Sequence, residues 1–271
     1  MRFEIDKDHS GNVLLENNVL SFFDNTDTKA NIEINKEEKI VINVGKFSNV
    51  TIIERISEKA MITINIFEGA KVNYLLIDSK NGEANRQINL YKNASMKAVF
   101  GYFQHSDANE VLNVNLLESG ANVFIDTVAY GKEEKKIMDL KINHMAPFTK
   151  SEMYNYAIAS GNSKVVYNAV GFIEKKMNST DALQKTRGII LSNKAHLEAN
   201  PALLISEFDV KASHGATIGK ISDDDLYYLM SRGITKEEAM HLIIDGFINP
   251  IIENISDERL KEEFSLFAKG K

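Results

Sequence analysis

The chain has 271 residues, of which 44% are apolar and 26% charged, with a formal net charge of −6 and no cysteine. That length suffices for one elongated domain with an appendage and a sizeable core. The acidic balance disfavours nucleic-acid and anionic-membrane partners. The missing thiols exclude disulfides, Cys-ligated zinc and thiolate or persulfide chemistry within the chain.

No apolar run approaches the roughly 20 residues that a transmembrane helix needs, and the N-terminal MRFEIDKDHSGN lacks a basic-then-apolar export pattern. A cytoplasmic location is therefore expected. The only prolines are Pro147, Pro201 and Pro250, which suits internal strands whose N–H groups must all donate to a ladder.

Along the chain a weak repeat of a turn, then Ala, then apolar alternation appears. It runs through DTKANIEI (Ala30), SEKAMITI (Ala60), FEGAKVNYL (Ala70), YKNASMKAV (Ala94), ESGANVFI (Ala121), SNKAHLEA (Ala195) and SHGATIGKI (Ala216), with Ser163 in the same slot. Most spacings are about 20 to 30 residues, the range of solenoid units. A small residue after each turn lets coils stack, and the alternation turns one face of each strand inward. Short strands with Asn, Gly and Ser at corners predict a β-helix, with a β-sandwich as the plainer alternative. One Asn-Gly pair, Asn81-Gly82, marks a local hairpin or a protruding loop.

At Ser222 the period changes to that of helices, dividing the chain into a body, 1–221, and an appendage, 222–271. Ser222 reads as an N-cap with Asp223, Asp224 and Asp225 in the first turn. Leu226, Leu229 and Met230 supply the apolar stripe, flanked by Tyr227 or Tyr228, and Gly233 the stop. Thr235 with Glu238 forms a capping box that opens a second helix, expected to break at Asn249-Pro250. Ser256 is expected to cap a third helix carrying Leu260, Phe264 and Phe267. A helix-turn-helix reader of DNA is disfavoured, because residues 223–271 hold 11 acidic against 6 basic side chains.

Candidate chemistry centres on His214, beside the seam between strands and helices. The plain reading of a lone corner His is a hydrogen-bonded structural residue. His144 in NHMAPFTKS reads as a buried His bonded near a loop, His105 and His196 as strand-edge residues, and His241 as helix packing or interface. No HxH or HxxxH ligand pair, phosphate loop or GxSxG elbow occurs.

The stretch 208–246, FDVKASHGATIGKISDDDLYYLMSRGITKEEAMHLIIDG, resembles the core-domain signature of the SufB/SufD family of the SUF iron–sulfur cluster assembly system. The matching residues are Asp209, Val210, Ser213, His214, Gly215, Ala216, Thr217 and Gly219. Beyond them match Leu226, Tyr228, Leu229, Ser231, Arg232, Gly233, Glu238 and Ala239. LQKTRGIIL (Gln184, Thr186, Arg187) and NHMAPFTKS (His144, Pro147, Thr149, Ser151) extend the likeness over the last half to two thirds of the chain.

The resemblance implies a right-handed parallel β-helix, mainly β, with a C-terminal α-helical appendage. It implies a non-enzymatic, SufD-like scaffold subunit that binds a SufC-type ABC ATPase. Leu226, Tyr228, Leu229, Arg232 and Phe247 are the docking candidates, although the apolar ones could equally pack the appendage on the β-helix. It further implies pairing with a SufB-like β-helix subunit or with itself, as a dimer. His214 is then a candidate at the interface where a transient Fe–S cluster forms. Three departures stand out: Ala212 where SufD-like members carry Cys, Gly215 where SufB-like members carry Glu, and Arg187 about where SufB-like members carry a cluster-building Cys. No cluster is expected on the chain alone, since such irons are held mainly by thiolates. Full-length members also carry an N-terminal helical region, so the chain looks like a minimal core. Two other classes compete: a β-helix enzyme acting on polysaccharide and a metal-free interaction protein.

Overall fold

A computed structural model describes residues 2–6, 11–56, 58–79, 83–255 and 257–268, without the side chains of 77–79, 259 and 267–268. The strands in chain order are β1 (Arg2–Ile5), β2 (Val13–Glu16), β3 (Val19–Phe22), β4 (Asp27–Ile34), β5 (Glu38–Val44) and β6 (Asn49–Ile56). They continue as β7 (Ala60–Ile66), β8 (Lys71–Ser79), β9 (Glu83–Leu90), β10 (Ser95–Tyr102), β11 (Ala108–Leu116) and β12 (Asn122–Gly131). The last are β13 (Lys135–His144), β14 (Lys150–Ala159), β15 (Lys164–Ile173), β16 (Thr180–Ile190), β17 (His196–Ile205) and β18 (Val210–Lys220). Three helices follow: α1 (Asp223–Ser231), α2 (Lys236–Ile252) and α3 (Glu258–Ala268).

From β4 onward successive strands alternate between two nine-stranded sheets, so each strand pairs in parallel with the strand two places on. This is the parallel β-solenoid that the repeat predicts. Its coils lengthen from 22 residues (Asp27 opposite Asn49) to 31 (Lys150 opposite Asp181), which blurs the period in sequence. The start departs from the parallel rule. β1 lies antiparallel to β4, and β2–β3 is a hairpin turned by Asn17 and Asn18, both at positive φ. Asn tolerates that backbone, so Asn-Asn does here what Asn-Gly does elsewhere.

The repeat has a local cause. At one corner of each coil a residue sits in the left-handed region: Asn25, Phe47, Gly69, Asn93, Gly120, Phe148 and Ser179. The next residue is small and buried: Thr26, Ser48, Ala70, Ala94, Ala121, Thr149 and Thr180. Backbone bonds link these corners from coil to coil, as Asn25 N to Lys46 O (2.8 Å) and Gly69 N to Lys92 O (2.9 Å). Ala70, Ala94 and Ala121 thus occupy one stacked slot, whereas Ala60 starts a strand of the other sheet. Ala30 and Ala216 lie within strands, opposite Ile52 and Thr186. Asn81-Gly82 falls outside the described residues; β8 and β9 on either side belong to different sheets.

The solenoid interior is apolar over most of its length, with Ile, Val and Leu layers such as Ile40, Ile62 and Leu112. A charged cluster interrupts it, and Lys136 is also buried at an inward position of β13. Arg86 is fully buried between Glu54 (2.6 Å) and Glu110, while the Tyr74 hydroxyl donates to Glu54. A second apolar core lies outside the solenoid, where α2 and α3 cover the outer face of the first sheet. Ile244, Ile248, Ile251, Ile252, Leu260 and Phe264 meet Ile53, Leu75, Val99, Phe103, Val128 and Ile158 there. The change from strand to helix falls at residue 222, yet α2 and α3 share a core with the strands.

The caps form as the sequence predicts. Ser222 Oγ accepts from Asp225 N, Gly233 sits at φ 88°, and Thr235 and Glu238 bond reciprocally. The expected break at Asn249-Pro250 does not occur: α2 runs on to Ile252. The proline falls in the last turn, so the helix forgoes only the bond from residue 250 to the Gly246 carbonyl before it ends. Ser256 is outside the described residues; Asp257 Oδ1 accepts from Leu260 N (3.1 Å) at the start of α3.

Candidate functional site

The solenoid ends open. β17 and β18 are the last strands of their sheets, and each pairs on one side only. Paired residues in a parallel ladder face the same side, so the inward set of β18 follows from β16. Thr180, Ala182, Gln184, Thr186 and Gly188 are buried, and opposite them stand Val210, Ala212, His214, Ala216 and Ile218. No further coil covers this second set, and His214, Ala216 and Ile218 are exposed. Leu204 and Ile205 on β17 are also exposed, and Phe208 in the connecting turn is 99% exposed. His214 is therefore an inward-facing residue of an uncovered coil. It stands over Gln184 and beside a buried line in which Thr127 donates to Asn155 Oδ1 (2.9 Å) and Asn155 to Thr186 Oγ1 (3.2 Å). Two free edges of 10 and 11 residues are templates for strand pairing.

The helical candidates divide. Leu226 is buried on α1 and Phe247 packs on the Tyr156 ring, centroids 5.1 Å apart. Both hold the appendage together. Leu229 is half-buried, while Tyr228 is exposed with the Arg232 guanidinium 4.6 Å from its ring centroid. Tyr227, 74% exposed, and Met230, three residues on, share a face of α1. Leu242 on α2 is exposed as well. α1 contacts only α2 among the elements it packs against appreciably, so it stands off the solenoid with an aromatic outer surface. The acidic first turn of α1 adds negative charge at its base.

The histidines do not converge. His144 is fully buried, its Nδ1 2.8 Å from Thr149 Oγ1 and its Nε2 2.9 Å from Ser151 Oγ. Burial pushes its pKa down to about 4, so the ring is neutral at pH 7. Thr149 Oγ1 donates to Ala146 O (3.0 Å), which leaves Nδ1 as the donor and Ser151 as donor to Nε2. His105 and His196 sit beside Glu134 and Glu198 at the surface. Among the described residues no group of three His, Asp or Glu side chains could hold a metal. Arg187, on the outer face of the first sheet, stacks on Tyr156 and Phe247 rather than facing the interior.

Sequence reasoning missed the buried Arg86 cluster. Its only sign is charge at inward positions, such as Glu54 in TIIERI, and alternation alone gives such residues no partner. It also missed Gly101, whose outward position is filled by Phe264. No helix among the described residues is long and apolar enough to cross a membrane.

A coiled, parallel β-solenoid with an uncovered last coil and one helix, α1, standing off it defines the class of protein. Residues 26–247 match the family model for the SUF system FeS cluster assembly SufBD core domain, so the chain belongs to the SufBD family of iron–sulfur cluster assembly. It is 30% identical over 202 residues to the iron–sulfur cluster assembly protein SufD of Bacillus subtilis, covering 72% of this chain and 46% of that protein. Over 207 residues it is 28% identical to an iron–sulfur cluster assembly SufBD family protein of Staphylococcus aureus, covering 73% of this chain and 44% of the other. The chain thus spans about half the length of the curated relatives it matches.

Proposed function

We propose that the chain is a SufD-like core subunit of a cytoplasmic SUF machine, with two working surfaces and no catalysis of its own. The open end pairs with a SufB-like β-helix subunit or a second copy of this chain, and α1 with the start of α2 docks a SufC-type ABC ATPase. The observation that carries the pairing is the contrast between coils. Gln184 is 2% exposed, whereas His214, one coil on and facing the same way, is exposed. A free edge in each sheet would gain strand partners in such a pair.

Iron–sulfur cluster is cargo in this reading. The chain offers no thiolate, and His214 is the imidazole on β18, so a nascent cluster would be held between subunits with ligands mainly from the partner. ATP-driven movement of the ATPase would reach the pair through α1 and α2. Cluster yield of the assembled complex tests this beside a melting curve. His214→Ala should lower the yield severalfold and leave the melt unchanged, because the His214 side chain is exposed. A variant that assembles clusters as the parent does would remove His214 from the mechanism.

A further inference from the structure

The helix α3 is attached differently from α2. Among its described side chains the one fully buried is Phe264, which meets the Phe103 ring edge-on with centroids 5.0 Å apart. The seat is made by an absence: a Cβ on Gly101 would lie 2.6 Å from the Phe264 ring and 2.5 Å from that of Phe103. Gly101 is not at positive φ, so the glycine gives room rather than backbone freedom. Leu260, one turn earlier, is the second buried anchor.

The rest of the attachment is ionic. Lys29 on β4 bonds Asp257 (2.5 Å) before the helix starts, and Arg55 on β6 grips both oxygens of Glu263 (2.6 and 2.8 Å). All four side chains are about one third exposed, so water and salt compete for them. Between the seats of α2 and α3 a void of about 40 Å³ is lined by Thr51, Asn73 and Lys97 under Asn254 and Asp257, and by Leu75, Val99, Ile255 and Leu260. Ile255, buried in the turn, holds the end of α2 on the sheet, so the ion pairs and the two anchors beyond it are what keep α3 down.

We infer that α3 is a reversible latch: it opens as a unit from Asp257 onward, while α2, Ile255 and the solenoid stay in place, and closes by seating Phe264 against Gly101 with Arg55–Glu263 as its clasp. An 11-residue helix is marginal by itself, and the burial of Leu260 and Phe264 competes with the entropy of ordering it. Opening uncovers Ile53, Leu75, Val99 and Phe103 on the first sheet. This inference goes beyond the proposed subunit role and stands or falls without it.

Native-state amide hydrogen exchange on the full chain tests the latch. Amides of 258–268 should exchange well ahead of those of β10 and β12, and faster still in 1 M KCl. Arg55→Glu should speed their exchange roughly five- to tenfold, and adding Glu263→Arg should restore it. Gly101→Val should hold the latch open, raising exchange in 258–268 while β12 and β14 stay protected. Exchange of α3 in step with β12 under all these conditions would overturn the inference. So would an Arg55→Glu effect that the charge swap leaves unrepaired.

Discussion

Asn254, just beyond α2, donates from its amide to Asp126 Oδ2 across 2.7 Å, and Asp126 is only 2% exposed on β12. Burial pushes the Asp126 pKa up to about 6, and neither the Asn254 bond nor Lys97 makes up for the lost water. An acid whose folded pKa is raised stabilises the fold below its unfolded pKa and loses that contribution as pH rises through the folded one. Stability should fall by roughly 2–3 kcal/mol between about pH 4 and 6.5 on this account. Melting curves of wild type and Asp126→Asn across that range isolate the effect. The variant should be the more stable at pH 7, with the difference vanishing near pH 4.

His144 has the opposite sign. Its folded pKa lies below the usual imidazole value, so its contribution is full above about pH 6.5 and is lost as pH falls towards 4. Nitrogen chemical shifts should show a neutral ring with the proton on Nδ1 down to pH 5. Ser151→Ala, which leaves Nε2 buried without its donor, should cost about 1–3 kcal/mol in urea unfolding.

The interior cluster yields a third expectation. Arg86 answers two buried carboxylates, so Arg86→Ala leaves Glu54 and Glu110 without a countercharge and should cost about 3–5 kcal/mol. Burial already raises the Glu54 pKa. Replacing Glu54, Arg86 and Glu110 together by apolar residues of similar size should recover most of the loss. Chemical denaturation of the single and triple variants decides the matter.

The helices cannot be trimmed at the change of period without consequence. Removing 223–271 uncovers Ile53, Val99, Phe103, Val128 and Ile158 together, a contiguous apolar face of the kind that drives association. Size-exclusion profiles and dye binding should show a sticky, associating product. A clean monomer would mean that the second core contributes little.

Much of this was legible in the residues. The turn-then-small-residue repeat follows from a left-handed corner and a stacked interior slot, and Ala70, Ala94 and Ala121 carry it. The caps of α1 and α2 were readable because capping is local. Thr26, Ser48 and Thr180 fill the same slot as those alanines, so a search for Ala alone sees half of the pattern. Pro250 misled because it falls in the last turn of α2, where losing one backbone bond does not end the helix earlier. The inward aspect of His214 needed the β16–β18 register, and the packing of half-buried Phe247 needed the position of Tyr156, neither of which sequence spacing fixes.

Binding of a SUF-system ABC ATPase to the full chain, measured by calorimetry, bears most directly on the proposed role. Tyr228→Ala combined with Arg232→Ala removes an exposed pair without touching buried Leu226 or Phe247, so the melt should stay as in the parent. The account expects affinity to fall about a hundredfold, as when a central aromatic and arginine are lost from an interface. Unchanged affinity in a well-folded variant would contradict docking through this face of α1.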